Sequence, residues 1–167
     1  MDFCLQQLQE ALSAATQDMT ADLLARRREG KWSTAEILEH LYLTYTGTIK
    51  VFEKCLEAGG PIAGKPRLKD RVAVLVVVGF GHMPEGRKAP KSAIPRGIPT
   101  DRVLAEIVQK VAAMDEIIGR CEQHYGKGTR LVDHPILGPL TGQQWRKFHL
   151  VHGKHHAKQI LRLKQQG

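Results

Sequence analysis

The sequence predicts an all-α fold, a four-helix bundle with an extra short helix and a long loop in its middle. Four stretches repeat apolar residues at steps of three and four, which is the spacing of one face of a helix. Two of these stretches begin at capping boxes, in which Ser or Thr is followed three residues later by Glu or Gln. The 167 residues are 42% hydrophobic, which suffices for one core, so we expect residues 1–167 to form a single domain.

The first two long helices are predicted in the N-terminal third of the chain. The apolar stripe runs without interruption over residues 4–28 and predicts one helix. The capping box of Ser33 and Glu36 then starts a second helix, which continues to Gly59-Gly60-Pro61. His40 lies about two turns inside this helix, on the flank of its apolar stripe.

The middle of the chain contains the apolar run VAVLVVVGF from Val72, whose β-branched residues favour a strand by local propensity. A single strand would have no partner elsewhere in the sequence, so the run predicts a short buried helix instead. Gly79 and Gly81 begin a G-x-G pattern, but Pro84 stands where the third glycine should be and no helix start follows. We therefore expect an extended loop here and no dinucleotide site.

Two more long helices are predicted in the C-terminal half. The first begins at a cap on Thr100 and ends near Gln123. Residues 135–139 contain two prolines and a glycine, and they predict a loop. The last helix then begins at a second capping box, formed by Thr141 and Gln144.

The charge balance is basic, with 25 Lys and Arg against 17 Asp and Glu and a formal charge of +8. Between residues 65 and 96 there are eight cations and two acids. Aromatic residues for base stacking are almost absent from this segment, so we expect no nucleic-acid partner. The segment predicts either a solvated loop or a rim that attracts an anionic small-molecule substrate. Its cations are Lys65, Arg67, Lys69, Arg71, Arg87, Lys88, Lys91 and Arg96.

The location of the protein is predicted from its cysteines and its apolar runs. Cys4, Cys55 and Cys121 lie far apart with no C-x-x-C pair, which favours a reducing compartment. The N-terminus has no apolar signal region, and the run from Val72 is too short to cross a bilayer. We expect a soluble cytoplasmic protein with no membrane partner.

Four histidines lie within the eight residues HLVHGKHH, 149–156. At about 100° per residue, His149, His152 and His156 fall within an arc of roughly 60° on the apolar face of the last helix. His155 points away from this arc. Because His152 and His156 are spaced i, i+4, their rings can converge on one metal ion.

A metal site needs a ligand from another helix, and His40 is the best candidate because it is the only histidine inside another long helix. Three imidazoles leave a divalent ion at least one open position, at which water or a thiol would lose its proton near neutral pH. Such a ligand set suits zinc, nickel, iron or copper. Gly153 stands where an H-E-x-x-H protease carries its general base, so proteolysis of that type is not expected. His149 remains open as a base, a donor behind a ligand, a fourth ligand or a core histidine bonded to a carbonyl.

Two stretches of the sequence resemble a known family. WSTAEILEHL at residues 32–41 and HPILGPLTGQQWRKFHLVHGKHHAKQI at residues 134–160 resemble the DinB-like (YfiT-like) superfamily of bacterial four-helix metalloproteins. The resemblance covers most of the chain. It implies an up-down-down-up topology, frequent homodimers, and His40, His152 and His156 as ligands of a divalent ion such as zinc or nickel. It also implies activities that include thiol-dependent S-transfer, maleylpyruvate isomerisation and hydrolysis, without choosing among them.

Two functions therefore remain open. The first is a metal-dependent enzyme, similar to S-transferases or hydrolases, that activates a low-molecular-weight thiol or water. The second is a non-catalytic protein in which the ion is a structural clamp or a sensor. A structural zinc site is normally closed by four protein ligands, whereas a catalytic site keeps a position open, so the number of ligands distinguishes the two.

Overall fold

The computed structural model describes residues 1–84, 86 and 88–165, and about 66% of these residues are helical. Arg87, one of the eight cations of the basic segment, lies outside the described residues. The chain also contains a short π-helix (Leu75–Gly79), a 3-10 turn (Lys91–Ala93) and two strands, β1 (Arg130–His134) and β2 (Gly138–Thr141). The described residues form six α-helices: α1 (Phe3–Thr16), α2 (Ala21–Ala25), α3 (Thr34–Glu57), α4 (Leu68–Val74), α5 (Thr100–Tyr125) and α6 (Gly142–Gln165).

The long helices share one apolar core with the two strands. Helix α1 lies along α6, helix α3 lies along α5, and α3 also contacts α6. None of the described helices is long and apolar enough to cross a bilayer. Fully buried side chains come from all four long helices and from the two strands: Leu5, Leu8, Tyr45, Phe52, Met114, Ile118, Leu131, Leu140 and Ile160.

The prediction of one helix over residues 4–28 is wrong, because the chain breaks after Thr16. Asp18 adopts a left-handed conformation with φ of 59°, which an ordinary side chain rarely takes and which cannot continue a helix. Thr20 then caps the short helix α2 by accepting the N–H of Leu23 at 3.3 Å. Apolar spacing persists across this break, so periodicity alone could not reveal it.

Both predicted capping boxes are confirmed. The Ser33 hydroxyl accepts the N–H of Glu36 at 3.2 Å, and the Glu36 carboxylate accepts the N–H of Ser33 at 2.8 Å. Thr141 and Gln144 make the same reciprocal pair at 3.2 and 3.0 Å. The two helices that carry the candidate ligands therefore start where the sequence predicts, whereas Thr100 is the first residue of α5 instead of its cap.

The apolar run from Val72 is helical, as predicted, but it is not a buried helix. Val72 and Leu75 are 55% and 56% exposed, and only Val77 and Val78 near its end are buried. Helix α4 is attached through its opposite face, where Asp70 is 3% exposed. The core therefore covers Val77 and Val78 and leaves Val72 and Leu75 exposed.

The loop predicted at residues 135–139 is the tip of a small antiparallel hairpin. Arg130 pairs with Thr141 and His134 with Gly138. The prolines and the glycine predicted only a loop. The two strands, however, bury Leu131 and Leu140 completely, and this burial stabilises the hairpin. The all-α class is corrected accordingly to a mostly helical fold with a two-stranded sheet.

A buried ion cluster joins α5 to α6. Arg146 is only 7% exposed, and its guanidinium donates to Asp115 Oδ1 and to Glu122 Oε2, each at 2.7 Å. A guanidinium has several N–H donors in a fixed plane, so it can bind two separate carboxylates at once. This cluster holds the start of α6 in place against α5.

Candidate metal centre

His40, His152 and His156 come together where α3 faces α6, and we call them the three-histidine cluster. Nε2 of His152 lies 3.2 Å from Nε2 of His40 and 3.0 Å from Nε2 of His156. The three ligand atoms all lie within 4.8 Å of one another. Two nitrogens bound at tetrahedral angles to one zinc ion are about 3.3 Å apart. The cluster is therefore tight enough to hold a metal ion.

The proton positions of two rings are set by acceptors outside the cluster. Nδ1 of His40 donates to the carbonyl oxygen of Ala93 at 2.8 Å, and Nδ1 of His156 donates to Oε1 of Gln159 at 2.8 Å. A carbonyl oxygen can only accept, so each ring carries its proton on Nδ1. The lone pair of Nε2 therefore faces the cluster in both residues, as a metal ligand requires.

His152 lies between these two lone pairs. If Nε2 of His152 carries a proton, it can donate to only one of these two lone pairs. The second lone pair then lies close to the same nitrogen without a hydrogen bond. A cation, by contrast, accepts all three lone pairs at once. The ring of His152 stacks on Phe148, with centroids 5.4 Å apart and planes at 11°. Its Nδ1 is buried and has no hydrogen-bond partner within the described part of the chain.

The cluster is neutral at physiological pH because its surroundings disfavour charge. Burial lowers the pKa of His40. Burial and the neighbouring histidines lower the pKa of His156 to about 3 and that of His152 well below its usual range. A neutral imidazole is the form that binds a metal, so no proton has to be displaced near pH 7.

His149 is fully buried one turn before His152 and stands apart from the cluster. Its Nε2 lies 3.1 Å from the Thr48 hydroxyl, which itself donates to the carbonyl of Thr44 at 3.1 Å. His149 is therefore the donor to Thr48, and its buried Nδ1 keeps a lone pair. Burial lowers the pKa of His149 to about 3. Its bond goes to a hydroxyl instead of the carbonyl considered from the sequence, and its role as a base stays a prediction.

Two supporting residues were not foreseen from the sequence. Glu39 is 3% exposed and accepts the N–H groups of Arg96 and Gly97, which fixes the segment whose Ala93 carbonyl orients His40. Gln159 bridges two rings, since it accepts from His156 and its amide nitrogen lies 3.0 Å from Nε2 of His155. An acid next to His40 and a Gln three residues after His156 were the only signals available.

Gly153 has a packing reason for lacking a side chain. A methyl group on its Cα would collide with the buried Leu8 of α1, and it would lie 3.6 Å from the Tyr45 hydroxyl. The position at which a zincin protease carries its base is therefore filled by the contact between α1 and α6.

The described part of the basic segment contacts the cluster through the 3-10 turn near its end. The 3-10 turn packs against α3 and places the Ala93 carbonyl on His40. Helix α4, at the other end of the segment, is attached through Asp70, which lies against Gly138 of the hairpin. Lys91 and Arg96 are exposed beside the part that reaches His40.

One family model matches residues 1–162, nearly the whole chain, and its description is "Protein of unknown function (DUF1569)". The chain belongs to the DUF1569 family. The resemblance to the DinB-like superfamily is therefore wrong, since nothing links this match to that superfamily. Comparison with curated proteins and with solved structures gives no match.

The mistaken resemblance has a physical explanation. A capping box satisfies free N–H groups at the start of many helices. An H-x-x-x-H pair follows from helix geometry wherever two histidines of one helix share an ion. These motifs therefore recur independently of descent. For this DUF1569 chain, the case for a metal site depends on the positions of His40, His152 and His156 alone.

Proposed function

We propose that this DUF1569 protein is a metal-dependent enzyme in which His40, His152 and His156 hold a divalent ion. The observation that carries the proposal is the convergence of three Nε2 atoms, two of which belong to rings whose Nδ1 is engaged outside the cluster. Zinc and nickel suit an all-imidazole set best, and iron also fits.

The number of ligands favours a site with an open position. Within the described residues, the group of side chains able to hold an ion consists of these three histidines. His149 is committed through Nε2 to Thr48. Because structural zinc sites normally have four protein ligands, a set of three supports a catalytic role. A bound divalent ion would supply Lewis acidity, which lowers the pKa of water or of a low-molecular-weight thiol.

The chain offers a candidate proton acceptor one helical turn away from the cluster, on α6. His149 presents a buried lone pair on Nδ1, and the Tyr45 hydroxyl is buried nearby, with ring centroids 5.5 Å apart. We propose that His149 accepts a proton or positions the nucleophile in hydrolysis or thiol transfer. Gly153 cannot take this role because it has no side chain.

The substrate that we propose is a small anion. Lys91 and Arg96 are exposed on the segment that reaches His40 through Ala93. Positive side chains at the edge of a site raise the local concentration of anions. Replacing Lys91 and Arg96 by Glu should raise KM more at low salt than at high salt, and an unchanged KM would argue against this rim.

An alternative function is a non-catalytic one, in which the ion clamps α3 to α6 or acts as a sensor. His40 and His156 are 4% and 8% exposed, and burial of this kind is typical of structural sites. A clamp predicts a large loss of stability on metal removal and no turnover in any screen. An enzyme predicts turnover that disappears with the ion.

Three further features are proposed with this function. The packing of α1 on α6 and of α3 on α5 supports an up-down-down-up arrangement of the four long helices. We also propose a homodimer, which sedimentation would test, and a cytoplasmic location, which fractionation of the source cell would test.

Metal content of single variants tests the proposed site. Protein purified without an affinity tag should contain one divalent ion per chain by elemental analysis. His40→Ala, His152→Ala and His156→Ala should each lose it, because two imidazoles hold an ion far more weakly than three in a preformed site. His155→Ala is the matched control and should keep the ion. Loss in His155→Ala with retention in His152→Ala would overturn the assignment.

Activity screens on the loaded protein test the reaction class. Thiol-transfer and hydrolase substrates should be compared with and without a chelator. His149→Ala should keep the ion and lose most of any turnover found. Full turnover in that variant would remove His149 from the mechanism.

A further inference from the structure

We infer that a second site, on the opposite side of α6 from the three-histidine cluster, binds an amphipathic anion, a carboxylate or a phosphate carried on an apolar body. The site is a cavity of about 370 Å³ between α4, the β1–β2 hairpin and α6, which we call the cationic cavity. Its volume is at the lower end of the roughly 300–1,000 Å³ typical of small-molecule sites. It makes no use of the metal ion and goes beyond the function proposed above.

Three cations from three separate elements line the cationic cavity. Arg71 comes from α4, Arg130 from β1 and Lys147 from α6. Within the described residues, none of these side chains has an ion pair or a hydrogen bond. Arg146, the neighbour of Lys147, is by contrast paired with two carboxylates. Like charges gathered without partners repel one another, and a bound anion would remove that repulsion.

The other polar groups of the cavity do not cancel this charge. Asp70 is already committed, because its carboxylate accepts the backbone N–H of Arg67 at 2.9 Å and pairs with the Arg67 guanidinium at 3.1 Å. Gln144 uses its amide oxygen to accept the N–H of Thr141. Its amide N–H groups therefore remain as donors. Apart from the paired Asp70 carboxylate, the polar lining therefore consists of donors and positive charges, which favour an anion.

The rest of the lining selects an organic anion over a bare ion. Half of the lining residues are apolar, and burying a hydrocarbon group against them is favourable. Inorganic phosphate would neutralise the cations and leave these apolar residues in contact with water. The apolar lining residues are Pro66, Val74, Leu75, Val78, Leu137 and Pro139.

The cationic cavity and the three-histidine cluster lie on opposite faces of α6. At about 100° per residue, Lys147 is roughly 140° from His152 and 180° from His156 around the helix. A ligand in the cavity therefore touches none of the candidate metal ligands. Binding at the two sites can be measured separately.

Calorimetry with defined probes tests the site on the full-length protein. Octanoate and octyl phosphate, each below its micelle concentration, should both bind, and added salt should weaken both. 1-Octanol, which has the same chain without the charge, should bind at least tenfold more weakly. Equal affinity for 1-octanol would overturn an anion site, and tighter binding of one of the two anions would identify the head group.

Charge-neutralising variants locate the binding. Three variants each remove the charge of one exposed side chain: Arg71→Gln, Arg130→Gln and Lys147→Gln. Each should weaken octyl phosphate binding roughly tenfold, because a charge-assisted contact is lost. Lys50→Gln, at an exposed position of α3, is the matched control and should bind normally. His152→Ala should also bind normally. If all three variants bind octyl phosphate as tightly as Lys50→Gln, or if His152→Ala loses binding, the assignment is overturned.

Binding to lipid vesicles distinguishes a free ligand from a lipid head group. Phosphatidylcholine vesicles with and without phosphatidic acid should be sedimented with the protein and with Arg130→Gln. Binding to free octyl phosphate alone assigns the site to a soluble amphiphile. Additional binding to the phosphatidic acid vesicles that Arg130→Gln reduces assigns it to a lipid head group. Vesicle binding that is unchanged in Arg130→Gln, with no binding of the free probe, would overturn the proposal.

Discussion

Glu39 and His40, adjacent in α3, hold the two ends of one segment, residues 93–97. The Glu39 carboxylate accepts the N–H of Arg96 at 2.7 Å and that of Gly97 at 3.1 Å. His40 donates from Nδ1 to the Ala93 carbonyl at 2.8 Å. The orientation of the His40 ring therefore depends on a carboxylate that does not touch the three-histidine cluster.

Replacing Glu39 by Gln should weaken metal binding about 10- to 100-fold, the usual cost of disturbing the partner of a ligand. The two N–H groups use different carboxylate oxygens, and in the amide one of these becomes an NH2 donor. One N–H therefore loses its acceptor, and the segment with the Ala93 carbonyl loosens. Competition with a chelator measures the affinity. Glu36→Gln is the matched control, because Gln also serves in a capping box, and its affinity should equal that of the wild type. An equal loss in both variants would show that the effect is general destabilisation of α3.

Gln159→Leu should also weaken metal binding, by about tenfold, because His156 loses the acceptor that holds its proton on Nδ1. The measurement is again chelator competition. Lys158→Gln, at the exposed neighbouring position, should leave the affinity unchanged. Wild-type affinity in Gln159→Leu would mean that packing alone orients His156.

Arg146→Met should lower the free energy of unfolding by about 3–5 kcal/mol, because it leaves Asp115 and Glu122 buried together without their cation. Urea unfolding measures the change. Arg102→Met removes an exposed ion pair with Glu106 and should cost far less, because water screens exposed charges. A cost for Arg146→Met as small as that of Arg102→Met would contradict a stabilising role for the buried cluster.

Metal-free protein should lose stability as the pH falls below 6.5. Burial lowers the pKa of His149 from 6.5 to about 3, so between these values the unfolded chain binds a proton that the folded chain does not. Unfolding is then favoured as pH falls, by about 1.4 kcal/mol per pH unit for such a histidine. Urea unfolding from pH 7 to pH 4.5 should show a shallower dependence for His149→Phe. His124→Ala, at an exposed site, should keep the wild-type slope; identical slopes in all three proteins would contradict this.

Gly153→Ala should destabilise the protein by about 1–3 kcal/mol, the usual cost of overpacking a core, because the added methyl collides with Leu8. Gly47 provides the opposite case within α3, since it is exposed and a methyl there meets nothing within 4 Å. Gly47→Ala should therefore stabilise by about 0.5–1 kcal/mol. Thermal unfolding compares the two, and an equal shift in the same direction would contradict the close contact of α1 with α6.

Local signals predicted the parts of the fold that local energies control. The capping boxes at Ser33 and Thr141 set the starts of α3 and α6, and therefore the phase of every histidine on them. The break at Asp18 and the hairpin around Gly138 were missed. Both depend on contacts with distant parts of the chain, against which residues 17–25 and 130–141 pack.

The sequence by itself determined that His152 and His156 share one face of α6, since that follows from helix geometry at a spacing of four residues. Only the tertiary structure decided that His40 meets them, because the approach of α3 to α6 depends on how the whole core packs. It also decided which acceptors orient the rings, since Ala93 is 53 residues from His40. The gathering of Arg71, Arg130 and Lys147 around one cavity has the same cause, because side chains so far apart in sequence are neighbours only after α4, the hairpin and α6 have packed together.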